Sequence, residues 1–348
     1  MRIGVSKIFT RILLITISCW SFSLSAAATN RPLRTVWVKV VADQSFAAQP
    51  DWEKRAREAL DITADNLADV LGVKLEILSY DYWSHQDNIA MDSLTSIMIS
   101  EVDPGQADIL IGFTLLPGEM FLAQTSVEGV TIPYRGMIIK MYRDSPQHQM
   151  ILPFIIVHEM THVFGGVHVE GGGLMTPRFK RQVAMELDNI NRGIIRLTRE
   201  IDFSEGHQGL KEKDRRRLAE LYELALERGN RETPVLLELG RLYYDLGENI
   251  RAAEMFKTVA RQEPQLIYSW IMWGECHYRD GQPEITIQIF EEALGNASEK
   301  DILYGKLAGL YYNQGDYEKS YFYARKAREY GAEIDADLWR ALEHHLKK

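Results

Sequence analysis

The feature that most constrains this chain is a period in its second half. Three segments begin 34 residues apart, at Thr233, Ile267 and Asp301, and each places a glycine at its fifteenth position: Gly247, Gly281 and Gly315. The first carries Leu239, Gly240, Tyr243, Ala252, Phe256 and Pro264 at intervals that the second echoes with Trp270, Gly274, Phe290 and Ala293. The third keeps Leu307, Tyr311 and Ala327, with the turn Asn313 to Asp316. A unit repeating at this length is one supersecondary element that cannot bury its apolar face alone, so its copies must stack. Every candidate element after residue 209 is helical.

This pattern resembles the tetratricopeptide repeat, with units over residues 233–266, 267–300 and 301–334. The resemblance is closest in the first unit and weakest in the third, where Ala308, Ser320 and Ala324 replace the expected types. Arg215–Arg228 reads as a half-repeat and Asp337–Leu346 as a capping helix. The resemblance implies pairs of antiparallel helices and a concave surface that takes a peptide or a protein partner. Tyr311, Tyr312, Tyr317, Tyr321 and Tyr323 are expected to pack within the helices rather than line that groove. Cys276 reads as a small buried hydrophobe, and His277 as a packing residue. His85, His148 and His207 are expected to face solvent.

The first half has no repeat. Residues 1–28 read as an export signal: Arg2, Lys7 and Arg11 precede an apolar run from Ile12 to Leu24, followed by the small residues Ser25-Ala26-Ala27-Ala28. That run is shorter than the ~20 apolar residues a spanning helix needs. No transmembrane span is therefore expected after cleavage, and the mature chain is expected in the periplasm of a bacterial envelope or in the secreted medium. A formal charge of −9, from 40 basic and 49 acidic residues, leaves no basic footprint and argues against nucleic acid as a partner.

Strand patterns cover Thr35–Ala42, Val73–Tyr80, Asp108–Thr114, Phe121–Glu128 and Arg135–Tyr142. Helical patterns cover Asp51–Leu71, with Asp51 as N-cap and Gly72 as C-cap, then Pro153–Phe164 and Asp188–Glu200. Strands interleaved with helices give an α/β domain with a mixed sheet over residues 33–201. The polar stretch 202–209 reads as a linker to an all-α domain over 210–348.

The chemistry lies in Val157–Pro177, VHEMTHVFGGVHVEGGGLMTP. His158 and His162 share one helix face a turn apart, a spacing that lets two imidazoles take one metal ion. Glu159 can reach water at that ion without being a ligand. Gly165 can end the helix in a left-handed conformation, and the chain then returns His168 as a third nitrogen. Three imidazoles with an open position describe a catalytic zinc (Zn2+) site; a downstream carboxylate such as Glu186 is the alternative third ligand.

The run His158, Glu159, His162, Gly165, His168 matches H-E-x-x-H-x-x-G-x-x-H without a gap, and here the chain resembles the metzincin zinc endopeptidases. Leu174-Met175-Thr176-Pro177 is similar to their methionine turn in the matrixin style, with Pro177 where many members have tyrosine. The resemblance implies a zincin-like mixed sheet and hydrolysis of peptide bonds in a protein or peptide substrate. Glu159 would be the general base. The resemblance also implies an antiparallel edge strand that pairs with extended substrate, for which Leu122, Ala123, Gln124 and Thr125 are the candidates. Two other readings stay open: a non-enzymatic repeat scaffold or adaptor carrying a zinc-binding domain, and a zinc exopeptidase.

Overall fold

A computed structural model describes residues 32–84, 90–116, 129–142, 146–171, 173–177, 184–296 and 299–346. The export signal at 1–28 and the candidate strand Leu122 to Thr125 lie outside the described residues, as does His85. The first half contains β1 (Arg34–Asp43), α1 (Gln44–Ala47), α2 (Trp52–Asp61), α3 (Ala64–Leu71), β2 (Val73–Trp83), α4 (Met91–Glu101) and β3 (Ile109–Leu116). It continues with β4 (Gly129–Ile132), β5 (Gly136–Tyr142), α5 (Pro146–Val163) and α6 (Asn189–Thr198). The strands form one mixed sheet in the order β2-β1-β3-β5-β4, parallel except for the antiparallel β4 at its edge.

Side chains alternate across this sheet with the period of two that extended backbone imposes. Val36, Val38, Val40, Ile109, Ile111, Phe113, Met137 and Ile139 enter a core with α2, α3 and α5. Val41, Leu110 and Ile138 face the other way, under Leu94 and Met98 of α4. At β3 a Cβ on Gly112 would stand 2.6 Å from Met98 Sδ, so the glycine is what lets α4 lie so close. At β3 both faces are covered, which is why Ile109–Leu116 reads as a nearly continuous apolar run.

Three local expectations change. The single helix expected over 51–71 is two helices, because Ile62 and Thr63 interrupt it and the buried Thr63 hydroxyl bonds back to the Ala59 carbonyl at 2.9 Å. Asp51 does not cap with its side chain; it adopts a left-handed conformation with φ 55°. Gly72 does end α3, at φ 70°. The helix expected from Pro153 starts earlier, at Pro146, with Pro153 inside it. That proline removes one intrahelical donor without ending the helix.

Beyond the turn Gly206–Gly209 the chain is helical: α7 (Glu212–Glu227), α8 (Thr233–Asp245), α9 (Asn249–Gln262), α10 (Ile267–Arg279), α11 (Pro283–Ala293), α12 (Lys300–Asn313), α13 (Tyr317–Glu329) and α14 (Ala336–Leu346). An α/β region is thus followed by a helical repeat region. The three helix pairs are joined in the same way. Gly247, Gly281 and Gly315 take φ of 76°, 73° and 78°. In each, the next residue's N–H returns to a carbonyl five back: Glu248 to Tyr243, Gln282 to His277, Asp316 to Tyr311. This left-handed closure satisfies carbonyls that the helix end leaves unpaired.

The weak third repeat has a packing explanation. Phe256 seats against Gly240, and Phe290 against Gly274, where an added Cβ would meet the ring at 3.0 and 2.3 Å. The equivalent pair in the last repeat is Ala324 and Ala308, and the space is filled instead by Leu342 of α14. A terminal repeat has no following copy, so a capping helix replaces its aromatic. Tyr311 is buried and stacks on Tyr323, and both hydroxyls bond Glu291. Cys276 is buried, and its thiol is pushed up to about 12 by that burial.

The repeat region shares a core with the α/β region. Val167 and Val169, which flank His168, and Ile190 and Ile194 of α6 pack with Leu218, Tyr222, Leu236 and Leu239. The segment expected as a linker is part of this junction. His207 is buried, contrary to expectation, between Glu238 (3.2 Å) and Asp245 (3.1 Å). His148 is also buried rather than exposed, edge-on to Tyr142.

Candidate metal centre

Helix α5 carries His158, Glu159 and His162, and its C-terminal closure places the rest. Gly165 adopts φ 83°. Its N–H reaches the His162 carbonyl at 2.8 Å, and the Gly166 N–H reaches Thr161 at 2.8 Å. This paired closure reverses the chain. Gly165 also has no room for a side chain, since a Cβ would lie 2.5 Å from Tyr134 Oη and 2.7 Å from Tyr222 Oη. The Tyr222 hydroxyl, from α7, donates to the Gly165 carbonyl at 2.8 Å. Buried Asn191 of α6 then grips both backbone groups of Val167, at 2.8 and 2.9 Å. His168 follows with little freedom.

The result is a triangle. The Nε2 atoms of His158, His162 and His168 lie 3.2 Å apart on all three sides. Each ring's other nitrogen is engaged. His158 Nδ1–H donates to the Leu174 carbonyl at 2.8 Å, and His162 Nδ1–H to the Gly166 carbonyl at 2.8 Å. His168 Nδ1–H donates to the Glu232 carboxylate, at 2.8 and 2.9 Å. A carbonyl can only accept, so the protons of His158 and His162 are on Nδ1 and their Nε2 lone pairs point inward. Burial and, secondarily, His168 hold His158 down to about 4. Burial and its two histidine neighbours hold His162 well below the ordinary value. Both rings are neutral at pH 7.

Converging lone pairs repel unless a cation joins them. A tetrahedral zinc with ~2.0–2.1 Å Zn–N bonds needs donors ~3.3–3.4 Å apart, close to the observed triangle. The donor set therefore fits zinc. Among the described residues these three are the one group of histidine, cysteine and carboxylate side chains close enough to hold a metal. Glu186 belongs to the site through its backbone, where its carbonyl accepts from Leu174 N–H at 2.9 Å.

Glu159 is buried beside the edge strand β4. The Thr131 hydroxyl donates to Oε2 at 2.6 Å. A Cβ on Gly129 would lie 2.6 to 2.8 Å from the Glu159 side chain, so only glycine leaves room there. Burial raises the Glu159 carboxyl to about 7, against the lowering effect of Thr131 and His168. Met175 is buried in the α/β core and accepts from Val169 N–H at 2.9 Å, while Pro177 is exposed. The segment Leu174–Met175 thus runs against both His158 and the residue after His168.

Four contributors were not foreseen: Thr131, Asn191, Asn230 and Glu232. Asn230 Nδ2 donates to the His168 carbonyl at 2.9 Å. Asn191 sat within an expected helix, but no local pattern tied it to Val167. Glu232 and Asn230 lie more than 60 residues past His168, and nothing in their surroundings marks them as partners of a histidine.

The fold and this cluster together define an α/β region with a three-histidine site, followed by helical repeats. Solved structures of MamA are among those to which the chain is similar. The crystal structure of MamA is 18% identical and is matched over 38% of this chain and 75% of its own, at a TM-score of 0.32. Another MamA structure is 21% identical over 40% and 75%, at a TM-score of 0.30. No protein-family model matches this chain, and no curated protein matches it in sequence.

Proposed function

We propose that the chain is an exported zinc-dependent endopeptidase, held by His158, His162 and His168 as metal ligands, with Glu159 as its general base and the helical repeats as a docking surface for a protein substrate or partner. One observation carries this reading: three imidazole nitrogens converge on a single point, next to a buried carboxylate that takes no part in the triangle. Zinc bound there would supply Lewis acidity, polarising a carbonyl and easing deprotonation of water.

The chain's own residues would do the rest. Thr131 occupies Oε2 of Glu159 and leaves Oε1 to accept a proton from the attacking water and pass it to the departing amine. The apolar surroundings of Glu159 favour its neutral form once the proton is taken. Backbone groups on the outer edge of β4 would pair with an extended peptide and align the scissile bond. Gly129 keeps that edge close to the carboxylate.

A second reading is a repeat scaffold in which the metal is structural. It is favoured by the core that joins the repeats to the His168 loop, because a metal there would brace the junction whether or not chemistry occurs. One experiment separates the two. Wild type and Glu159→Gln, both zinc-loaded, are compared on a mixed protein digest read by new N-termini. The peptidase reading expects cleavage by wild type, inhibited by a hydroxamate, and a loss of about 10²-fold or more in the variant. Equal activity in the two proteins removes Glu159 from its role. No cleavage by zinc-loaded wild type favours the scaffold.

A further inference from the structure

Each histidine of the triangle needs an acceptor on Nδ1 if its Nε2 is to face inward. Two receive that acceptor from nearby backbone. The closure after α5 brings the Gly166 carbonyl to His162, and the turn at Leu174 brings its carbonyl to His158. His168 is different. Its acceptor is a side chain, Glu232, from the turn between α7 and α8 in the repeat region.

That turn is built to present it. Gly229 takes φ 93° at the end of α7, and Asn230 N–H returns to Ala225 at 3.1 Å. Asn230 Oδ1 then accepts from Glu232 N–H at 2.9 Å, while its Nδ2 holds the His168 carbonyl at 2.9 Å. One turn therefore holds His168 by both ends, backbone and ring. The carboxylate also brings a negative charge to a set of otherwise neutral ligands. A dication would favour that charge, and an anionic acceptor makes an imidazole a stronger donor to metal.

We infer that the repeat region completes the metal centre: Glu232 is a positioning residue that selects the tautomer and orientation of His168, with Asn230 as its brace. The inference rests on the metal reading of the triangle. It assigns to the helical half a role in the site that is separate from any docking. The Glu232 side chain is 43% exposed, so its loss opens no buried void and its effect on metal can be told from an effect on folding.

The test is zinc affinity of the full chain, measured by competition with a chromophoric chelator, for wild type, Glu232→Ala, Glu232→Gln and Asn230→Ala. The absorption spectrum of the cobalt-substituted proteins is recorded in parallel. Wild type should bind one zinc. Glu232→Ala should bind about 10–100-fold more weakly, with an altered cobalt spectrum. Glu232→Gln, whose amide oxygen can still accept, should recover part of the loss, and Asn230→Ala should lose less than Glu232→Ala. Urea unfolding of metal-free wild type and Glu232→Ala should coincide. Equal zinc affinity and equal spectra for wild type and Glu232→Ala would overturn the inference and leave the three-histidine site standing. Weakened binding with no recovery in Glu232→Gln and a destabilised metal-free protein would overturn it in favour of a structural role. If wild type binds no zinc, the site reading itself fails, and the inference with it.

Discussion

Glycines in the two halves of the molecule answer to different constraints. In the repeats, Gly247, Gly281 and Gly315 share one conformation, and an added Cβ at any of them would meet nothing within 4 Å. They are needed for φ alone, and each serves one turn of a repeated design. In the α/β half, Gly165 combines positive φ with two tyrosine hydroxyls at contact distance, and Gly129 lies against the Glu159 side chain. These positions occur once, and each sets the place of a site residue. A repeated element spreads its requirements over copies; a site concentrates them.

That contrast is sharpened by substituting alanine at one glycine of each kind. Gly165→Ala must pay for a left-handed alanine and for displacing Tyr134 and Tyr222, about 2–5 kcal/mol together. It should also weaken zinc binding, because the closure that orients His162 and His168 is disturbed. Gly247→Ala should cost about 1 kcal/mol, from backbone conformation alone, and leave zinc binding unchanged. Urea denaturation and chelator competition read both. Similar costs at the two positions, or a loss of zinc in Gly247→Ala, would break the comparison.

The junction between the halves gives an effect of intermediate size. Burial works to lower the His207 imidazole, but hydrogen bonds to Asp245 and Glu238 outweigh it and raise the group to about 9. The same pairing lowers both carboxylates. Arg215 and Arg241 lie near them, and Tyr134 is close to Glu238. A raised folded value means the stabilisation is fully present below the unfolded value near 6.5 and is lost as pH rises through about 9. Stability should therefore fall by about 3 kcal/mol between those limits. The carboxylates act in the opposite sense, contributing above their ordinary values and losing that contribution in acid. His207→Gln should flatten the alkaline fall in urea unfolding; an unchanged profile would place the pH dependence elsewhere.

Much of this was legible in the sequence, and the reasons differ by region. The repeats declared themselves because a 34-residue period reports packing between neighbours in the chain. Gly72 and Gly165 were legible because positive φ is a local demand. The histidine spacing was legible for the same reason: a helix turn and a tight closure connect all three. What stayed hidden depends on distance. His207 looked like a solvated histidine in a polar linker, since its two carboxylates arrive from α8. Strand β4 has only four residues, too few for an alternating pattern to mark it or its Thr131. Helix α4, with its serines, Thr95 and β-branched isoleucines, is shaped by packing over Gly112 rather than by propensity. Glu232 is the clearest case, a surface glutamate by every local measure.

Every chemical role proposed for this chain depends on one zinc held by His158, His162 and His168. Crystals of the zinc-loaded wild type, with data collected on both sides of the zinc absorption edge, test it most directly. The expected map has a single strong anomalous peak bounded by the three Nε2 atoms, with Glu232 still on His168 Nδ1. A map with no peak there, or with zinc held elsewhere while His168 turns outward, would contradict it.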